Sequence, residues 1–309
     1  VYVGTMRTPS GNMGHNALTG AGLFRVSGCR FPVWYVLLTG TAWALKARAL
    51  LDTRKSQKNA GFMIHYMTIR GIADAWIGSE LRVLTENRIP FTLHALTRPR
   101  QNYFTAEDIA EMGRNTRIIY PLPVPAAAGN ILAAPFRFRG RFFAALWNAL
   151  TGERETFRSR AVGILHFFVA CHWATTLRRE TVSHIHSQWI HSAGTVAMYC
   201  AWLRGVPFRF TGHAADLFRE RAALADQIRR AKFIICMSEL HREFYLSEGA
   251  RTEQLIIGHC GIDTAHFTPR LRSRPEGEPV HIVSSGRLVE KKGFDVLIEA
   301  CGLLAESGV

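Results

Sequence analysis

From residue 61 onward, short apolar runs alternate with longer stretches of helical periodicity, and this alternation constrains the fold more than any other feature. Residues 62–66, 91–96, 117–120, 183–186, 208–211 and 233–237 read as short buried strands. Helical stretches separate them: 77–87, with apolar Ile77, Leu81 and Leu84, one opened by the capping-box-like Thr105-Ala-Glu-Asp108, then 140–150, 161–178, 192–203 and 217–230. Ser238 caps a further helix, and the proline-rich 121–125 reads as rigid and extended. Strands returned through helices imply βαβ units, so the class is α/β with a parallel sheet.

The segment 270–279 is polar and proline-rich and reads as a linker. A new strand is predicted at 280–285 and a helix at 293–306, with Phe294, Leu297, Ile298, Cys301 and Leu304 on one face. One strand and one helix cannot bury a core, so a second domain is expected to begin here and to stay unfinished at Val309. At the other end, the apolar run 31–45 is interrupted by Pro32 and Gly40 and falls short of a bilayer span. With Arg25 and Arg30 before it, it faintly resembles a signal peptide. A short apolar helix or an upstream extension foreign to the main fold are the other readings.

The 309 residues carry a net charge of +14, which points to an anionic partner: nucleic acid, a membrane surface or a phosphorylated substrate. The six cysteines include no CxxC pair, and Cys171 and Cys236 end apolar runs. Buried free thiols in a reducing compartment are expected, rather than a disulfide framework or a zinc site.

The most specific stretch is Ser285-Gly-Arg-Leu-Val-Glu-Lys-Lys-Gly-Phe-Asp295. Gly286 permits a sharp turn after a strand, Arg287 and Lys292 stand at the mouth of that turn, and Gly293 opens a helix whose N-terminus attracts negative charge. Such a pair of cations can clamp a diphosphate.

This stretch, with Val296 to Ala300, resembles the opening of the C-terminal domain of retaining, GT-B-fold glycosyltransferases of family 4. Three further segments resemble that family in the same order: His184-Ile-His-Ser-Gln-Trp-Ile-His191, then Gly205-Val-Pro through Thr211-Gly-His-Ala-Ala-Asp216, then Cys260-Gly-Ile-Asp263 with Phe267 and Pro269. The likeness covers about 61–309 and is nearest to bacterial exopolysaccharide transferases of the colanic-acid type.

The resemblance leaves 1–59 as an unassigned N-terminal extension and implies a Rossmann-like acceptor domain at 60–269 and, after the linker 270–279, the truncated start of a nucleotide-sugar-binding domain at 280–309. It also implies transfer of a sugar from a UDP- or GDP-sugar to a saccharide or lipid-linked acceptor, without metal or cofactor. Arg287, Lys292 and Gly286 would bind the donor diphosphate, and His213 would be the catalytic residue near the transferred sugar. His186, Asp216 and Glu80 would be cleft or acceptor residues. The expected location is cytoplasmic, peripheral on the inner face of the cell membrane.

The sequence departs from the family at two places. Ala73-Asp-Ala-Trp76 replaces a hydroxyl-rich loop, and Cys260 stands where asparagine is usual. The chain also ends before the family's glutamate pair, so a truncated, non-catalytic remnant that binds acceptor or a partner is the alternative. A nucleic-acid-binding protein is the rival from another class, but no recognition motif accompanies the scattered basic residues. A nucleotide-sugar epimerase is a further reading, against which the His213-to-Asp216 and Glu290-to-Gly293 segments argue.

Residues 134–150 interleave Arg137, Arg139 and Arg141 with Phe136, Phe138, Phe142, Phe143 and Trp147. Read as one helical stretch, they suit an anionic membrane surface, or else a helix that packs its aromatics inward and leaves arginines in water.

Overall fold

The computed structural model describes residues 61–72, 75–99, 107–213, 223–260, 281–286 and 288–307, and the backbone of 6–7, 25–26 and 29–30. The apolar run 31–45, the linker 270–279, Thr105, Asp216 and Arg287 lie outside the described residues. The chain divides into two compact units, Val33–Asp263 and a second that joins Val1–Pro32 to Thr264–Val309.

The larger unit is built on seven parallel strands. Numbering all elements in chain order, the strands are β4 (Ile64–Thr68), β5 (Phe91–Ala95), β6 (Arg117–Ile118), β7 (His184–Ser187), β8 (Phe208–Thr211), β9 (Ala231–Cys236) and β10 (Leu255–Ile257). Their spatial order is β10-β9-β8-β7-β4-β5-β6. The chain therefore winds outward one way from β4 and then crosses back to wind the other way from β7. This is the Rossmann-like, doubly wound arrangement.

Helices α1 (Ala75–Glu86) and α2 (Glu107–Arg114) return the chain along the first arm. Three consecutive helices, α3 (Val124–Phe138), α4 (Gly140–Thr151) and α5 (Phe157–Thr176), make the crossover. Helices α6 (Ser192–Arg204), α7 (Leu224–Arg230) and α8 (Glu239–Ser247) serve the second arm.

The pleat sorts side chains to two cores. Met67, Ile185, Phe208, Phe210, Ile234 and Cys236 face α5 and α6, together with Phe167, Trp173, Val196 and Tyr199. Ile64, Tyr66, Leu93, Phe233 and Ile235 face the other way, against Ile77, Leu81 and Leu84 of α1. Burying each large apolar side chain contributes roughly 1.5–3 kcal/mol.

Three sequence expectations are corrected. The proline-rich 121–125 is not extended throughout, because α3 begins at Val124 with Pro125 in its first turn, where a missing N–H costs nothing. The stretch 134–150 is not one helix, because Arg139 takes a positive φ of 48° and separates α3 from α4. Helix α5 starts at Phe157, ahead of 161, because Thr156 and Ser159 form a reciprocal cap over its first turn.

In the smaller unit, β1 (Met6–Arg7) pairs antiparallel with β11 (His281–Ile282), and β2 (Arg25–Val26) pairs with β3 (Cys29–Arg30). Helix α9 (Phe294–Glu306) buries Cys301 but leaves Ile298 and Leu304 exposed. Cys171, Cys200, Cys236 and Cys301 are buried free thiols, while Cys260 is exposed.

Candidate active site

Parallel doubly wound sheets leave a crevice where the winding reverses, at the carboxyl ends of the two strands flanking the reversal. Here those strands are β4 and β7, paired through Tyr66 and His186. A buried polar cluster occupies that place. The Tyr66 hydroxyl donates to Oε1 of Gln188 at 2.6 Å. Nε2 of Gln188 donates to Oε2 of Glu80 on α1 at 3.2 Å. Nε2 of His186 stands 3.3 Å from both Gln188 Oε1 and Thr211 Oγ1.

Tyr66, His186, Gln188 and Thr211 are fully shielded from solvent, and Glu80 is nearly so. Burial, followed by the Glu80 carboxylate, raises the Tyr66 hydroxyl well above its ordinary range. It therefore stays protonated and remains the donor that fixes Gln188.

His213 follows β8 on the same side and is almost fully buried. Its ring lies 4.4 Å from that of Trp189 and 5.3 Å from that of Trp76, centroid to centroid. The two indoles stand 6.1 Å apart, edge to face. Trp76 Nε1 is buried without a hydrogen-bond partner among the described residues. Aromatic faces of this kind can hold a sugar or a base, and an imidazole among them can donate, accept or transfer a proton.

The structure thus brings Glu80, His186 and His213 to one strand edge. His186 lies under the surface rather than lining an open cleft, because its position in β7 points it into the sheet face shared with Tyr66 and Thr211. Gly286 and Lys292 belong to the other unit. There a Cβ at Gly286 would come within 3.3 Å of the Phe294 ring, and Gly293 takes the left-handed φ of 61° that starts α9. Among the described residues, no three histidine, cysteine, aspartate or glutamate side chains converge as a metal set.

Gln188, Trp189 and Thr211 lay inside the matched segments with no role assigned to them, and Tyr66 lay in a predicted strand. The signal that could have found them is their place, at or just past the carboxyl ends of strands either side of the long crossover.

No protein-family model matches the chain. The chain is 37% identical over 81 residues to an Escherichia coli protein named as a colanic acid biosynthesis glycosyltransferase, WcaL, covering 26% of this chain and 20% of that one. It is 32% identical over 77 residues to the amylovoran biosynthesis glycosyltransferase AmsK of Erwinia amylovora, covering 25% and 19%. The matched stretch therefore spans about a fifth of the length of these curated relatives. Among solved structures, Anabaena Alr3699/HepE in complex with UDP and glucose aligns with a TM-score of 0.41 at 11% identity, covering 66% of this chain and 46% of that one.

Proposed function

We propose that this protein is a retaining glycosyltransferase of the GT-B type that moves a sugar from a nucleotide-diphosphate sugar to a saccharide or lipid-linked acceptor during exopolysaccharide synthesis. The observation that carries this reading is the partial identity with transferases named for two different exopolysaccharides. The doubly wound sheet supports it, with a polar and aromatic cluster at the point where such sheets take their ligands.

In this reading His213 meets the transferred sugar, held in place by Trp76 and Trp189. Glu80, Gln188 and Tyr66 form the rigid floor behind it. Arg287 and Lys292 neutralise the charge that grows on the departing diphosphate, an electrostatic contribution that needs no covalent intermediate with the protein.

The test is transfer of radiolabelled sugar from a panel of UDP- and GDP-hexoses to a lipid-extractable acceptor in membranes of the producing cells. Label transferred from one nucleotide class, with the donor's anomeric configuration kept in the product, is the expected result. No transfer and no nucleotide-sugar binding by saturation-transfer NMR would overturn the proposal, and an inverted product would overturn its stereochemistry.

A further inference from the structure

Arg137, Arg139 and Arg141 converge at the break between α3 and α4. With Arg204 at the end of α6, and with Phe138 and Leu203, they line a cavity of about 360 Å³. Among the described residues, no carboxylate lines it. The Arg141 guanidinium lies where a side chain on Gly205 would have to go, so that glycine makes room for it. Among the described residues, Nε of Arg204 is buried without a hydrogen-bond partner, and its Nη2 donates to the Glu180 carbonyl at 3.4 Å. Four like charges around one small cavity repel each other until an anion enters. The planar fork of each guanidinium suits phosphate oxygens.

The same helices expose apolar side chains that the core does not use. On α4, Phe143 and Trp147 are 60% and 68% exposed and share a stripe with Leu150, whereas Phe142 turns inward. On α3, Leu132 and Phe136 are 73% and 83% exposed, four positions apart. Aromatic and aliphatic groups left in water beside a cationic cavity match the chemistry of a bilayer interface, with acyl chains for the first and headgroup phosphates for the second.

We propose that α3 and α4 dock on an anionic phospholipid bilayer, with a lipid headgroup phosphate seated among Arg137, Arg139, Arg141 and Arg204 and with Phe143 and Trp147 inserted at headgroup level. The surface lies wholly within the larger unit, and the inference does not rest on the transferase reading.

The experiment is co-sedimentation of the 309-residue chain with phosphatidylcholine vesicles and with vesicles containing phosphatidylglycerol, at low and high ionic strength. Pelleting is expected on the phosphatidylglycerol vesicles alone and should fall with salt. The double variant Arg137→Gln, Arg141→Gln should partition roughly 25-fold more weakly, about fivefold per arginine. Both side chains are exposed, so its thermal midpoint should match wild type. Phe143→Ser with Trp147→Ser should also lose binding. Equal pelleting on both vesicle types, or undiminished pelleting of the arginine variant, overturns the proposal. So does stabilisation by inorganic phosphate without vesicle binding, which would make the cavity a site for a soluble anion. Binding to a nucleic-acid duplex in place of vesicles would do the same.

Discussion

Arg154 meets Asp226 at 2.7 Å with both side chains shut off from water, one 0% and the other 3% exposed. The guanidinium also donates to the Tyr199 hydroxyl at 2.8 Å, and that hydroxyl donates to Asn148 Oδ1 at 3.0 Å. Arg229 reaches the second oxygen of the same carboxylate. The pair therefore ties the loop after α4 to α6 and α7. These helices support the strands that carry the candidate site.

Asp226→Asn should cost about 3–5 kcal/mol in a urea unfolding series, because it leaves the buried Arg154 charge without its counterion. Adding Arg154→Met to Asp226→Asn should cost less than the sum of the two single changes. Strict additivity would show that the two groups do not act as a pair.

Stability should decline as the pH falls below about 6.5. Burial first, and neighbouring positive groups after it, hold His94 and His184 well below their ordinary range, and burial lowers His65 as well. Burial pushes His166 down to about 4. These histidines are neutral in the folded state and take up protons in the unfolded chain below about 6.5. Their contribution is therefore complete above that pH and is lost as the pH drops toward the folded values. For His166 alone this amounts to about 2 kcal/mol at about pH 5. Thermal midpoints that do not change between neutral and mildly acidic buffer would contradict it.

Gly212 immediately precedes His213, and the Tyr245 hydroxyl occupies the space where a Cβ would project. Gly212→Ala should destabilise by about 1–3 kcal/mol through overpacking and should displace His213. Combining it with Tyr245→Phe, which removes the obstructing oxygen, should recover part of the loss in thermal unfolding. No recovery would mean the clash lies elsewhere.

His213→Gln should reduce sugar transfer by about 10²–10⁴-fold if the imidazole serves the reacting sugar. Trp189→Ala removes the ring 4.4 Å from it and should raise KM more than it lowers kcat, since the indole positions rather than reacts. A His213→Gln variant with full turnover would remove this residue from the mechanism.

Lys292→Ala and Arg287→Ala should each lower kcat by about 10²–10³-fold, on the scale of losing one preorganised donor to a developing anion. Steady-state kinetics on the donor sugar checks this. Unchanged kcat in both would place the diphosphate elsewhere.

The alternation of apolar runs located six of the seven parallel strands to within a few residues, because a strand buried on both faces must be apolar over a short length, but it missed β10, whose three residues are too few to show a pattern. The crossover helices were less legible. Pro125 suits a helix's first turn as well as an extended segment, and only the structure shows which. The positive φ at Arg139, which splits 134–150, has no glycine to announce it. Likewise, β1 was invisible beforehand, since two residues carry no period and pair with residues 281–282 far along the chain.

Periodicity along the chain sufficed for the class of fold and for six of the seven parallel strands, and the family likeness pointed to Glu80, His186 and His213, whereas β10 and α3 escaped both. Local periodicity and short motifs act within a few turns of chain, and they suffice for that much. Tertiary packing sets that Tyr66 bonds Gln188 across 122 positions, that His213 packs against both Trp76 and Trp189, and that Arg204 joins the arginines of α3 and α4 around one cavity. These relationships depend on which strands become neighbours and which way each side chain leaves the sheet. Burial and hydrogen-bond satisfaction across the whole domain settle both.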